Sequence, residues 1–286
     1  MPRSPWTARP RIGSTKAPES EEPKRRIYPG GGQHPPRDGL AVHREGMGMY
    51  YDQHEYNIRC EWGFTGVTQL ASSSHSIIIV DVLSFSTAVD IAVGNGAVIY
   101  PYRWNDETAT AYAEAHCAML AGSSGAGGYS LSLESLLGIP AGTRLVLPSP
   151  NGSTLSLATG DVPTFAGCLR NARAVAHASL RVGQNVAIIP AGERWTDGTL
   201  RVAWEDLIGA GAIIHHLQGT KSPEAVLAES AFTRFRGDLL SWLGECSSGR
   251  ELIGKGLACN VELAAALDTS SCVPTLRDKA YIQNGA

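Results

Sequence analysis

The stretch Ile77-Ile78-Ile79-Val80-Asp81-Val82-Leu83-Ser84-Phe85-Ser86-Thr87 decides how this chain is read. Four β-branched residues in a row suit a strand buried on both faces, as in a parallel sheet. The run ends in a carboxylate and a cluster of hydroxyls. The pattern recurs at Leu145-Val146-Leu147, which leads into Pro148-Ser149-Pro150-Asn151-Gly152-Ser153-Thr154. It recurs again at Val186-Ala187-Ile188-Ile189, followed by Pro190-Ala191-Gly192-Glu193-Arg194. In open α/β sheets, ligands bind in the loops at the carboxyl ends of the strands. Chemistry is therefore expected at these three loops.

Working outward, Ser86 or Thr87 is placed to cap a helix running to about Val93. Asn95-Gly96 then turns the chain into a strand over Ala97–Pro101. Asn105 or Asp106 opens a helix to about Leu120, and Gly122–Gly128 reads as a flexible loop. Strands are predicted at 144–148, 164–166 and 185–190, with helices at 170–180 and 203–217. Tyr56–Trp62 alternates like a half-exposed strand, and the remainder reads as mostly helical, over 222–236, 237–244, 248–255 and 258–267. The predicted fold class is three-layer α/β/α, with a mainly parallel or mixed sheet and a helical C-terminal third.

Residues 1–48 form a separate Pro/Arg-rich tail that reads as disordered, with residues 49–286 as one α/β domain. Residues 1–45 hold nine Lys/Arg against five Asp/Glu, and eight of the sixteen prolines. The tail reads as an unstructured extension, or the start lies at Met47 or Met49, with a basic docking arm as the alternative. With a net charge of −3 overall, the remainder is mildly acidic and has no basic stripe for a phosphate backbone, so nucleic acid is not an expected partner. No apolar run has the length of a membrane span, and no signal-peptide core is visible, which predicts a cytoplasmic protein without a membrane partner. The six cysteines are scattered and read as packed thiols.

The strand-end residues carry several chemistries. Asp81 has the position of a Mg²⁺ ligand, a base or a nucleophile, and equally that of a helix cap. Ser84, Ser86 and Thr87 offer hydroxyls beside helix N–H groups, and Gly152 and Ser153 beside Asn151 suit an anion cradle or an ordinary turn. Adjacent carboxylates at Glu205-Asp206 repel each other unless a cation intervenes. Glu193 and Arg194 read as ligand and anion clamp, or as a surface pair. P-loop, dinucleotide, nucleophile-elbow and zincin motifs are absent, and Leu83 breaks the D-x-D of aspartate-nucleophile phosphatases.

Taken in order, the loops resemble the 2-phosphosulfolactate phosphatases of coenzyme M biosynthesis. The likeness runs through Asp81-Val82-Leu83 with Ser86-Thr87, Asn95-Gly96-Ala97, Asn151-Gly152-Ser153 and Gly167-Cys168-Leu169-Arg170-Asn171-Ala172. It continues through Glu205-Asp206 with Gly209-Ala210-Gly211, then Gly249-Arg250 and Val273-Pro274. The resemblance implies a Mg²⁺-dependent phosphatase acting on a small phosphorylated acid such as 2-phosphosulfolactate, and a homo-oligomer is compatible with it. It implies Asp81, Asn151 and Glu205 as catalytic, with Asp81, Glu205 and Asp206 as metal ligands. Ser84, Ser86, Thr87, Gly152, Ser153, Asn171 and Arg194 are the candidate substrate-binding residues, Asn171 by the resemblance and the others by their place at strand ends. A non-catalytic anion-binding homologue and a metal-dependent lyase are the alternatives on the same fold.

The chain departs from the family pattern at three places. Ser84 stands where the family usually has Arg. Gly122-Ser123-Ser124-Gly125 replaces a Gly-Glu-Arg segment, and Ser130-Leu131-Ser132 stands for an Asp-Leu-Gly-Asn-Ser-Pro stretch. Arg170, Arg194 and Arg201 are the cations available to compensate.

Overall fold

The computed structural model describes residues 50–122 and 128–283. The expected disordered tail and most of the expected Gly122–Gly128 loop lie outside them. A short strand β1 (Ile58–Cys60) precedes helix α1 (Gly63–Leu70). Then come β2 (Ser76–Val80), α2 (Phe85–Gly94), β3 (Val98–Tyr102), α3 (Glu107–Ala115) and β4 (Met119–Leu120). After α4 (Leu133–Leu136) the chain runs through β5 (Arg144–Pro148), α5 (Gly152–Ser156), β6 (Thr164–Gly167), α6 (Ala172–Val182) and β7 (Val186–Pro190). A small hairpin, β8 (Glu193–Arg194) and β9 (Leu200–Arg201), leads to α7 (Trp204–His215), α8 (Pro223–Phe235), α9 (Leu239–Glu245), α10 (Ser247–Gly254) and α11 (Ala258–Ala264). The hairpin β10 (Pro274–Arg277) and β11 (Ala280–Gln283) follows.

The main sheet has the order β1-β7-β2-β6-β10-β11-β3-β5-β4 among the described residues. It contains two parallel blocks. In one, β2 pairs with β6 and β7, and β1 with β7. In the other, β5 pairs with β3 and β4. The β10–β11 hairpin lies between the blocks and pairs antiparallel with both β6 and β3, so the two blocks run in opposite directions. The fold is thus α/β with a mixed sheet, as the sequence predicts.

Side chains alternate across the sheet as the strand period of two requires. Ile77 and Ile79 pack with Val67, Leu70 and Leu155, the apolar faces of α1 and α5. Ile78 and Val80 face the opposite way, onto Ala88 of α2, Val175 of α6 and Ile213 of α7. In the second block, Leu145 and Leu147 join the same large core, while Val146 and Tyr100 meet Ala113 of α3 on the other face. Both faces are therefore covered, which is why the strands read as unbroken apolar runs.

Three expectations need correction. Ile58–Cys60 is buried throughout, not half-exposed, because it pairs with β7 under α8. The helix expected to reach Leu120 ends at Ala115. Asp106 caps it as expected, accepting from Thr108 N–H (3.0 Å), but Cys117 takes a positive φ and turns the chain into β4. The C-terminal third is helical only as far as Ala264, and its last described residues complete the sheet. Two-residue hairpins favour Asn-Gly or Asp-Gly because both central residues take positive φ. Here Asp278 and Lys279 take those angles, so the usual sequence signal was missing. No helix among the described residues is long and apolar enough to cross a membrane.

Candidate active site

Asp81 leaves the end of β2 buried, and two backbone N–H groups fix its carboxylate. Phe85 N–H donates to Oδ1 (3.0 Å) and Gly152 N–H to Oδ2 (3.0 Å). The helix-cap reading and the site reading are therefore both true of Asp81: one oxygen holds the start of α2, the other holds the loop after β5. Although β5 belongs to the oppositely directed block, its carboxyl-end loop reaches the end of β2. A Cβ at Gly152 would lie 2.3 Å from the Phe85 ring and 2.8 Å from Asp81 Oδ2, so only glycine brings its N–H this close.

The neighbouring hydroxyls are spent on the turn itself. Ser86 Oγ donates to Ile79 C=O (3.0 Å) and accepts from Asp81 N–H (3.1 Å). Thr87 Oγ1 donates to Val82 C=O (2.7 Å), and Ser153 Oγ donates to Leu147 C=O (3.0 Å). These three side chains are buried and shape the loops; the structure does not present them to a ligand. Ser84 differs, since it is only partly buried and no described group partners its hydroxyl.

Glu205 and Asp206 open α7, where the helix dipole favours negative charge. Both are buried, at 2% and 3% exposure. Asp206 Oδ1 accepts from Val82 N–H and Oδ2 from Gly192 N–H, each at 2.8 Å. Its carboxylate therefore ties the loop after β2 to the loop after β7. Gly192 presents that N–H from a positive φ of 67°. Glu205 Oε2 accepts from the Cys246 thiol (3.5 Å). Across the site, Asn151 Nδ2 donates to Glu193 Oε2 (2.9 Å), which joins the second and third loops.

Asp81, Glu193, Glu205 and Asp206 form one electrostatic cluster. Burial, then the charge of Glu193, pushes Asp81 up to about 7; Glu205 adds to this and the Phe85 and Gly152 N–H groups oppose it. Asp206 is raised well above the carboxylate range by burial, Asp81 and Glu205. Burial also raises Glu193, aided by Glu205 and opposed by Asn151 and Arg201. Burial and Glu205 together push the Cys246 thiol up to about 12, so it is a neutral donor and not a nucleophile.

The expected residues do not all meet. Asn171 is fully buried at the start of α6, where Oδ1 accepts from Cys168 N–H (2.9 Å) and Nδ2 donates to the carbonyls of Ala166 (3.2 Å) and Cys272 (3.3 Å). Its capacity is used up in joining β6 to the end of the chain. Arg170 is committed to Asp90 (2.9 Å) and cannot replace a missing substrate cation. Arg194 is exposed on β8 and bonds Gly198 C=O (3.3 Å). Arg201, on β9, stands where its charge lowers Glu193, and it reaches Ser248 Oγ (3.2 Å). Neither the Asn151–Glu193 bond nor the place of Arg201 follows from local pattern, because both depend on the β8–β9 hairpin.

Two recesses involve these loops. One, of about 190 Å³, is lined by Trp62, Asn151, Glu193, Arg194 and Leu200. The other, of about 400 Å³, lies between Leu83-Ser84 and Leu147-Pro148, with Ser130, Ser132 and Asn260 along its wall.

Comparison with known proteins matches residues 66–279 to the family described as 2-phosphosulpholactate phosphatase. A Carboxydothermus hydrogenoformans protein called a probable 2-phosphosulfolactate phosphatase is 30% identical over 224 residues, covering 73% of this chain and 88% of the relative. A Pseudothermotoga lettingae protein of the same description is 25% identical over 217 residues, 74% of this chain and 94% of that one. A third, from Gloeobacter violaceus, is 40% identical over 70 residues, spanning 24% of this chain and 30% of the relative. The matched span runs from α1 into the turn of the last hairpin, and so takes in all three strand-end loops and the acidic pair that ties them together. On that span, this chain belongs to the 2-phosphosulpholactate phosphatase family.

Proposed function

We propose that the chain is a Mg²⁺-dependent phosphoric monoester hydrolase acting on a small phosphorylated hydroxy acid of the 2-phosphosulfolactate class. The observation that carries this reading is the four-carboxylate cluster, with Asp81, Glu205 and Asp206 buried and Glu193 half-buried, in which two backbone N–H groups pin Asp81 and burial raises it to about 7.

The donor set suits Mg²⁺. Its carboxylate oxygens are hard donors, and burial with mutual repulsion makes a divalent cation a favourable replacement for protons. No three His, Cys, Asp or Glu side chains surround a common point among the described residues. Mg²⁺ commonly needs only one or two carboxylates, with water and substrate phosphate completing its shell. Glu205 and Asp206 would hold it, each keeping oxygen lone pairs that no described donor fills. When bound, the ion would draw charge from the phosphoryl oxygens.

The protein groups have separate tasks. Asp81 would take a proton from the attacking water as the water oxygen bonds phosphorus and the ester P–O bond breaks, and that proton would pass to the departing alkoxide, releasing the hydroxy acid and inorganic phosphate. The Phe85 and Gly152 N–H groups keep the Asp81 carboxylate oriented throughout. Asn151 positions Glu193 through their hydrogen bond, and Arg201 supplies positive charge on that side. Asp206, by holding Val82 and Gly192 together, fixes the distance between the two loops.

The test is phosphate release from 2-phosphosulfolactate and 2-phosphoglycerate, with Mg²⁺ and with chelator. Release that requires Mg²⁺ and disappears in Asp81→Asn is the expected result. Absence of release from a panel of phosphorylated hydroxy acids would refute the activity.

A further inference from the structure

Three carboxylates of the cluster are buried, and they are held in two different ways. Asp81 and Asp206 each accept backbone N–H groups on both oxygens, so main chain fixes their directions. Glu205 is as deeply buried, at 2% exposure, but receives no backbone donor among the described residues. Its carboxylate ends a longer side chain. The one described donor that reaches it is the Cys246 thiol, 3.5 Å from Oε2. Without that donor, a buried carboxylate would lose both its hydrogen bond and its direction.

Cys246 is itself held in place. It caps α10 at the corner where α9 ends, and its Sγ accepts from Gly249 N–H (3.4 Å). The corner is tight: a Cβ at Gly249 would collide with the Leu243 carbonyl oxygen, so only glycine lets α10 start this close to the end of α9. The single thiol proton has two acceptors in reach, Leu243 C=O (3.1 Å) and Glu205 Oε2 (3.5 Å). An ionised carboxylate is the stronger acceptor of the two. Two residues on, Ser248 Oγ accepts from Arg201 Nη2 (3.2 Å). Ser248 is buried, and the Arg201 guanidinium lies 5.9 Å from the centre of the Trp195 ring. Arg201 and Glu205 stand four residues apart, at the end of β9 and the start of α7. One corner from a remote part of the chain thus touches both the acid and the cation that this turn brings to the site.

We propose that the α9–α10 corner positions the site: Cys246 orients Glu205 for Mg²⁺, and Ser248 orients Arg201 for the substrate carboxylate. Both act through another side chain and are positioning residues. The proposal rests on the phosphatase reading for what the site does, and on these two hydrogen bonds for how it is held. A thiol suits the place, because burial and Glu205 keep it protonated up to about 12 and so a donor. A hydroxyl there would keep a donor, whereas a methyl would leave Glu205 with no described partner. Removing a group that orients a metal ligand typically lowers metal affinity by about 10–100-fold. Arg201 has the Trp195 ring as a second support, so loss of the Ser248 hydroxyl has the milder effect.

The experiment is calorimetry on wild type, Cys246→Ala, Cys246→Ser and Ser248→Ala. Mg²⁺ is titrated alone, and then sulfolactate, a carboxylate with no ester to cleave, in the presence of Mg²⁺. Cys246→Ala is expected to weaken Mg²⁺ binding by about tenfold, and Cys246→Ser to restore most of it. Ser248→Ala should leave Mg²⁺ binding unchanged and weaken sulfolactate binding by about three- to tenfold, the usual contribution of one hydrogen bond. A packing role alone would shift denaturant midpoints without dividing the two affinities between the two residues. Mg²⁺ binding unchanged in Cys246→Ala, equally weak in Cys246→Ser, or absent in wild type would overturn the Cys246 assignment. Sulfolactate binding unchanged in Ser248→Ala, or absent in wild type, would overturn the Ser248 assignment. Phosphate release from 2-phosphoglycerate by the same four proteins tests the activity separately. Divided affinities without release from any of them would overturn the phosphatase reading and leave the positioning standing. Mg²⁺-dependent release with undivided affinities would do the reverse.

Discussion

The two sides of the site are built from the same kind of element, strand-end loops, yet to opposite electrostatic effect. On one side, Glu193, Arg194 and Arg201 gather on a small hairpin, with Asn151 steering a carboxylate. On the other, serines, leucines and Asn260 line a cleft with no charged side chain among the described residues. On the proposed reading the difference separates two tasks: the cluster would serve the phosphate ester, while the walls beside it would meet what the ester carries. Substitutions in the cluster should therefore affect all substrates alike, and substitutions in the walls should alter ratios.

The largest effect is expected at Asp81. Asp81→Asn should lower kcat by about 10²–10⁴-fold for every ester, the usual worth of a positioned general base. A selective loss for one ester would move Asp81 into substrate recognition. Gly152→Ala comes next. Its Cβ would meet the Phe85 ring, an overpacking expected to destabilise the fold by about 1–3 kcal/mol in a denaturant titration and to displace the N–H that orients Asp81. Arg201→Ala should reduce kcat/KM by about tenfold, mainly through KM, for carboxylate-bearing esters and much less for an ester without one.

The smallest effect separates structure from chemistry in the cluster itself. Asp81 and Asp206 have carboxyl pKa values raised on folding, so the folded state keeps protons that the unfolded chain releases. The Asp81 contribution is fully present below the ordinary carboxylate range and declines as pH rises from about 4 to about 7, and Asp206 acts in the same direction. Melting temperatures measured without divalent cation should fall across that window, and Mg²⁺ should restore stability most at the upper end. A cation-independent pH profile would argue against these acids as the binding place.

The strands were legible because burial on both faces leaves a plain mark: Ile77–Val80 and Val186–Ile189 have no polar position to confuse the pattern. Asp81, Asn151 and Glu205-Asp206 were legible because strand ends and helix starts are where polar groups escape the core. Other features were not, for identifiable reasons. Asn171, Ser86 and Thr87 have the composition of ligand-binding residues, but their hydrogen bonds go to backbone that only the fold brings near. The final hairpin lacked a glycine turn, and Arg201 acts through pairing of two-residue strands too short to show a period. The cleft was invisible in sequence because Ser84, Ser130 and Asn260 meet only in space.

The central claim is that the Asp81, Glu193, Glu205 and Asp206 cluster hydrolyses small phosphate monoesters with Mg²⁺. Its most direct test is phosphate release from 2-phosphoglycerate and 2-phosphosulfolactate by wild type and Asp81→Asn, each with Mg²⁺ and with chelator. The account predicts release only from wild type with Mg²⁺. Equal release by Asp81→Asn, or none by wild type, would contradict it.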